Sequence, residues 1–193
     1  MDVFSWLAVN FDLPILDWIA GNLWNPVLDF LMPIITALGD EGIFWIACAV
    51  VLLLIPKYRK TGLAVGAALL MGLLICNGIL KLWVARPRPY DFQFAQFGNE
   101  IRLLIEAQHD FSFPSGHTIA SFEAATVLMI HNKKLGIPAM ILAVLIAFSR
   151  LYLYVHYPTD VLASVVLGIG IAFLADFLVK KGFALWEAKK KTD

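Results

Sequence analysis

Residues 62–80 read GLAVGAALLMGLLICNGIL. No residue in this run is charged, and it approaches the roughly 20 apolar residues with which a helix crosses the hydrocarbon core of a bilayer. The runs at 118–130, 135–148 and 161–179 repeat the pattern, rich in Leu, Ile, Val and Ala. Across all 193 residues the chain is 60% apolar, with a mean hydropathy of +0.77. That is too apolar for an ordinary water-soluble domain. A transmembrane barrel would show many short alternating segments, whereas these runs are continuous and separated by charged clusters. The expected fold is all-α, a polytopic membrane helix bundle. No repeat or linker divides it, so residues 1–193 read as a single domain.

Basic residues in short loops favour the cytoplasmic side. One such cluster is Lys57, Arg59 and Lys60; another is Lys133 and Lys134; a third is Lys180, Lys181, Lys189, Lys190 and Lys191. All three fit the cytoplasmic side together, which places the C-terminus there and makes residues 81–114 an outer loop. His131 then reads as a surface residue of the second cluster. The first 56 residues are less regular, because Asp2, Asp12, Asp17 and Asp29 interrupt the apolar pattern and Pro14, Pro26 and Pro33 break or kink helices. Two arrangements fit: an interfacial helix over Leu13 to Asn22 followed by a hairpin of two membrane helices around Gly39 to Gly42, or one in which Pro26 to Leu38 is only a half-helix. The hairpin is the preferred expectation and gives six transmembrane helices. The N-terminus lacks the basic region of a secretory signal. Zero net charge gives no reason to expect a nucleic-acid partner. Cys48 and Cys76 lie in apolar runs at no metal-ligand spacing and read as small hydrophobes.

In this topology the remaining polar residues gather at the outer face. Lys81, Arg86, Arg88, Arg102 and Arg150 defy the positive-inside bias. Cations collected at separate helix ends point to an anion with several oxygens, for which phosphate is the natural candidate. Arg supplies a planar fork of donors and Lys a mobile point charge. Ser115 and Gly116 sit at an expected helix N-terminus, whose free N–H groups and dipole attract anions. His117 and His156 can divide nucleophilic and acid roles. A neutral imidazole attacks phosphorus, with nearby Asp160 holding its other nitrogen, and the second histidine protonates the departing oxygen.

These residues form an ordered pattern. It runs from Lys81 to Arg88-Pro89, through Pro114-Ser115-Gly116-His117, to Ser149-Arg150, His156 and Asp160. Over roughly Gly62 to Val179 the chain resembles the type 2 phosphatidic acid phosphatase superfamily of membrane lipid phosphatases, relatives of the vanadium haloperoxidases. The resemblance implies His156 as nucleophile, Asp160 as its orienting partner and His117 as general acid. It implies Lys81, Arg88, Ser115, Gly116 and Arg150 as phosphoryl ligands. It further implies catalysis without a metal or other cofactor, and a lipid phosphate or diphosphate as substrate, with undecaprenyl diphosphate first. Phosphatidylglycerol phosphate and phosphatidate are the runners-up. A diphosphate would give Arg86 or Arg102 a role, and His109 is a further candidate contact. The reading of another class, a lipid-phosphate binder or transporter, leaves the paired histidines unexplained. No obligatory protein partner is expected beyond the membrane lipids. Glu123 and Asn77, polar within apolar runs, are read as supports of the site or as interhelical bonds.

Overall fold

The computed structural model describes residues 2–190; Lys191 of the C-terminal basic cluster lies outside them. Helix α1 runs over Val3–Leu23 and contains a π-helical turn at Ala8–Asp12. Asp2 caps it by accepting the Ser5 N–H. Helix α2 (Pro26–Ala37) starts where Asn25 accepts the Val27 and Leu28 N–H groups and Pro26 takes the first helical position. A 3-10 turn at Asp40–Gly42 joins it to α3 (Ile43–Leu54), with Glu41 and Gly42 both at positive φ. Helix α4 (Arg59–Gly72) continues through a π-helical stretch, Leu73–Leu80, to a last turn at Lys81–Val84. A short helix, α5 (Pro89–Phe97), ends at Gly98 in the left-handed conformation. Three helices complete the chain: α6 (Gly116–His131), α7 (Lys133–Tyr152) and α8 (Pro158–Lys189).

Helix α6 is the axis of the bundle and packs on α4, α7 and α8. Lipid tails are as apolar as the helices, so association rests on close van der Waals fit rather than on the exclusion of water. Small residues supply that fit: Ala124, Ala125, Ala143, Ala172 and Ala175 are all buried. The backbones of α6 and α7 come closest at Gly136, where an added Cβ would lie 2.3 Å from the Met129 Cα. The periphery carries exposed Leu63, Leu70, Ile141, Val166 and Phe173, the surface that a hydrocarbon solvent requires.

The all-α polytopic architecture agrees with the sequence. The division into spans differs from it. Among the described residues, Val3–Leu23, Pro56–Phe97, Lys133–Tyr152 and Pro158–Lys189 are long and apolar enough to cross a bilayer. The expected hairpin at Gly39 to Gly42 is instead a bend of 41° between α2 and the segment Asp40–Leu54, and together these make at most one broken span. Helix α6, at 16 residues, is shorter than a full crossing. The expected six crossings are therefore not reproduced by length and hydropathy. The first helix begins well before Leu13 because Asp12 and Asp17, read as interruptions, are satisfied by distant partners: Arg86 and Thr159 for Asp12, Tyr154 for Asp17.

Candidate active site

The end of α4, the start of α6, the end of α7 and the turn before α8 meet at one end of the bundle. Chain direction alternates along these helices, so residues distant in sequence converge there. The turn that carries His156 is held firmly. Tyr154 adopts φ +60°, and its hydroxyl donates to Asp17 and accepts from Gln93. The Val155 carbonyl accepts from Arg88 Nη1 at 2.8 Å. The same Arg88 nitrogen lies 3.2 Å from His156 Nε2. A guanidinium only donates, so this contact leaves the Nε2 lone pair facing the cation and assigns the imidazole proton to Nδ1. Burial, followed by Arg88 and Arg150, pushes the His156 imidazole well below its ordinary value and keeps it neutral.

His156 Nδ1 is buried and makes no hydrogen bond; Asp160 Oδ2 stands 3.7 Å away. Asp160 accepts from Arg86 Nη1 at 2.5 Å and from the Tyr157 N–H at 3.2 Å. It therefore sits behind the histidine as a nearby negative charge rather than as a direct partner. His117 projects from the first turn of α6. Its Nε2 is 2.8 Å from Asp40 Oδ1 and 3.4 Å from Arg150 Nη1. The shorter contact makes Nε2–H the donor to Asp40. Arg150 is anchored by Thr36 of α2 at 2.7 Å. Ser115 caps α6 with its side chain and ties the helix start to α8 through its own N–H, which donates to Ser164.

Lys81 and Arg88 converge on Asp110. Lys81 Nζ donates to Oδ2 at 2.5 Å and Arg88 donates to both Oδ1 and the backbone carbonyl. Burial raises the Asp110 carboxyl, but Lys81 and Arg88 outweigh it and hold the group at about 2. A cavity of about 390 Å³ joins these groups: Lys81, Arg88, Asp110, Gly116, His117, Arg150 and His156 all line it. From the charged end the cavity continues between α3, α4 and α6 past Ile46, Val50, Leu70 and Leu73, each also exposed on the bundle surface. On α4 it extends from Lys81 to Gly66, a rise of roughly 22 Å. Its wall contains Glu123, which is 1% exposed, and whose Oε1 has no hydrogen-bond partner. The carboxyl lies on the bare face of Gly72, where a Cβ would come within 2.1 Å of Oε1.

Residues 59–181 match the PAP2 superfamily. The chain belongs to that superfamily. It is 34% identical over 146 residues to a Sulfolobus acidocaldarius protein named undecaprenyl-diphosphatase, a match covering 75% of this chain and 68% of that one. Aquifex aeolicus LpxE has the same fold with a TM-score of 0.71 and 26% identity, over 85% of this chain and 93% of LpxE. A PAP2-type phosphatidylglycerolphosphate phosphatase from Bacillus subtilis superposes with a TM-score of 0.68 and 28% identity, over 92% of each chain. This PAP2 protein is a membrane-embedded lipid phosphatase.

Of the residues singled out in the sequence, Lys81, Arg88, Gly116, His117, Arg150 and His156 share the cavity, with Ser115 and Asp160 immediately behind it. Three expected substrate contacts do not. Arg86 is 2% exposed and enclosed by Asp12 and Asp160, so its charge is already used inside the protein. Arg102 pairs with Asp29 beside Tyr152, away from the cavity. His109 is exposed and off the lining, although Gln108 and Asp110 on either side belong to it. His131 is only 18% exposed at its side chain, bridging Thr61 and Asp176, and is not a free surface residue. Asp40 was not foreseen; the acidic pair between Gly39 and Gly42 marks a turn, and only the α2–α3 bend brings it to His117.

Proposed function

We propose that this PAP2 protein hydrolyses undecaprenyl diphosphate to undecaprenyl phosphate at the extracytoplasmic face, through a phosphohistidine on His156 and without a metal. The observation that carries the chemistry is the shared cavity, in which His156 Nε2 faces Arg88 while His117 stands beside Arg150. Lys81, Arg88 and Arg150, with the N-terminal amides of α6, hold the phosphoryl oxygens, and their charge is worth most as negative charge builds in transfer. Lys81 and Arg88 exchange Asp110 for those oxygens.

The Nε2 lone pair of His156 forms a bond to the terminal phosphorus as the bond to the bridging oxygen breaks. Burial and the Arg150 cation hold the His117 imidazole well below its ordinary value; the bound anion, with Asp40, offsets them, so that His117 takes its second proton and gives one to the leaving lipid phosphate. The phosphohistidine carries a positive charge on its ring, which Asp160 stabilises. Water then attacks the phosphorus and loses a proton to His117. The P–N bond breaks, its electron pair returns to His156, and inorganic phosphate leaves. The apolar continuation of the cavity takes the start of the prenyl chain. The basic loops at the opposite end of the bundle support a cytoplasmic C-terminus.

A second reading, a glycerophospholipid phosphate such as phosphatidylglycerol phosphate or phosphatidate, is favoured by Glu123. A prenyl chain has nothing to pair with a carboxyl along that wall, whereas a glycerolipid carries ester and hydroxyl groups near its phosphate. The deciding experiment is phosphate release by detergent-purified protein in chelator from undecaprenyl diphosphate, undecaprenyl phosphate, phosphatidylglycerol phosphate and phosphatidate. The first reading expects preference for the diphosphate and complete loss in His156→Ala. A glycerolipid preference that disappears in Glu123→Leu selects the second reading, and turnover that survives His156→Ala overturns the phosphohistidine mechanism.

A further inference from the structure

Arg86 is a buried cation with carboxylates on both sides. Nη2 donates to Asp12 Oδ2 at 2.7 Å and Nη1 to Asp160 Oδ1 at 2.5 Å, with Thr159 Oγ1 at 2.8 Å from Nη1. Its guanidinium lies 3.7 Å from the centre of the Tyr157 ring and 5.3 Å from that of Phe4 in α1. Asp12 is fully buried and also accepts from the Thr159 N–H and hydroxyl, at 2.9 and 2.8 Å. The first turn of α8, which carries Asp160, is thus fastened to the middle of α1. Two carboxylates around one guanidinium leave one net negative charge directly behind His156. The other charged groups around that imidazole are Arg88, Arg150, Lys81 and Asp110, with His117 across the cavity. On that side cations outnumber anions, so the surplus negative charge lies only on the Asp160 side.

We infer that Asp12 is a positioning residue for the reaction, acting through Arg86 to set the place and net charge of Asp160 behind His156. Helix α1, outside the family-matched residues 59–181, is then a required part of the active site. The inference rests on the reading of His156 as nucleophile. Without the Asp12 carboxylate the whole charge of Arg86 falls on Asp160. That carboxylate is neutralised where the phosphohistidine cation needs it, and formation of the intermediate slows. Without Arg86, Asp160 keeps its charge but loses the donor that fixes it.

The test uses the full chain in detergent, following steady-state turnover, thermal stability and the phosphoenzyme trapped by an alkaline quench. Misplacing a catalytic group by about 1 Å costs on the order of 100-fold in rate, so Asp12→Asn should lower kcat by roughly that order with KM unchanged and less phosphoenzyme. The acid limb of the rate profile should move to lower pH in Asp12→Asn, where His156 faces an additional net positive charge. It should move to higher pH in Arg86→Gln. Adding Asp12→Asn to Arg86→Gln should cause no further loss. A wild-type kcat in folded Asp12→Asn, limbs that move together, or equal losses in both backgrounds would each overturn the inference. Should Asp12→Asn fail to fold, Asp12→Glu keeps the charge: reduced kcat with an unmoved acid limb supports the assignment, and unaltered kcat refutes it. His156→Ala separates the two levels. If it still forms phosphoenzyme the nucleophile reading itself fails; if it is inert while Asp12→Asn behaves as wild type, only the role of Asp12 falls.

Discussion

Asp110→Asn should make the enzyme bind its substrate more tightly. Asp110 occupies Lys81 and Arg88, two of the three cations assigned to the phosphoryl group, so a bound phosphate must displace it. Its side chain is 52% exposed, which places each ion pair in the range of about 0.2–1 kcal/mol measured for solvent-exposed partners. Releasing both contributes about 0.4–2 kcal/mol, and at about 1.4 kcal/mol per tenfold the expected fall in KM is about 2- to 30-fold. The carboxyl is held at about 2, below its ordinary value, so it loses charge only as pH falls toward that value. The ratio of variant to wild-type KM should accordingly be flat through neutral and mildly acidic pH. The assay is phosphate release at fixed detergent, with inorganic phosphate as a competing inhibitor whose inhibition constant should fall by the same factor. An increase in KM would mean that Asp110 arranges the two cations for substrate instead of competing with it, and an unchanged KM would remove it from the binding path.

Asp40→Asn removes the anion that favours protonated His117, so the basic limb of the pH–rate profile should move to lower pH. A substrate whose leaving group departs without a proton should be spared, and equal loss on both substrates would separate Asp40 from the acid step. Gly136→Ala places a Cβ against the Met129 backbone at the far end of the bundle, a packing fault of about 1–3 kcal/mol. A lower unfolding temperature in detergent with normal activity per folded molecule is expected, and an unchanged temperature would show that α6 and α7 have slack there.

The bundle and the centre of its site were legible because each rests on local sequence. Apolar runs declare helices by length, and Lys81, Arg88, His117, Arg150 and His156 fall at fixed distances from helix ends. What stayed hidden depends on pairing across the chain. Arg86 resembles Arg88 in sequence, two residues apart in an extended segment, yet one turns inward to Asp12 and Asp160 and the other to the cavity. Asp12 and Asp17 weaken an apolar pattern when counted alone; paired with Arg86 and Tyr154 they no longer oppose a membrane helix. The surplus of cations near the site and of carboxylates in α1 was a usable signal, since buried charges require partners. At the α2–α3 junction the sequence leaves a hairpin and a half-helix both open, because two glycines flanking acidic residues suit a reversal as well as a bend, and only the packing around Arg150 and Thr36 decides between them.

The cavity wall is shared with the outer surface of the bundle at Ile46, Val50, Leu70 and Leu73. A lipid approaching by that side travels in two dimensions, and the quantity that fills the site is its mole fraction among neighbouring lipids, not its amount per volume of buffer. Adding inert detergent at constant total substrate should slow turnover by surface dilution, and in a cell the rate would follow the crowding of the leaflet around each enzyme.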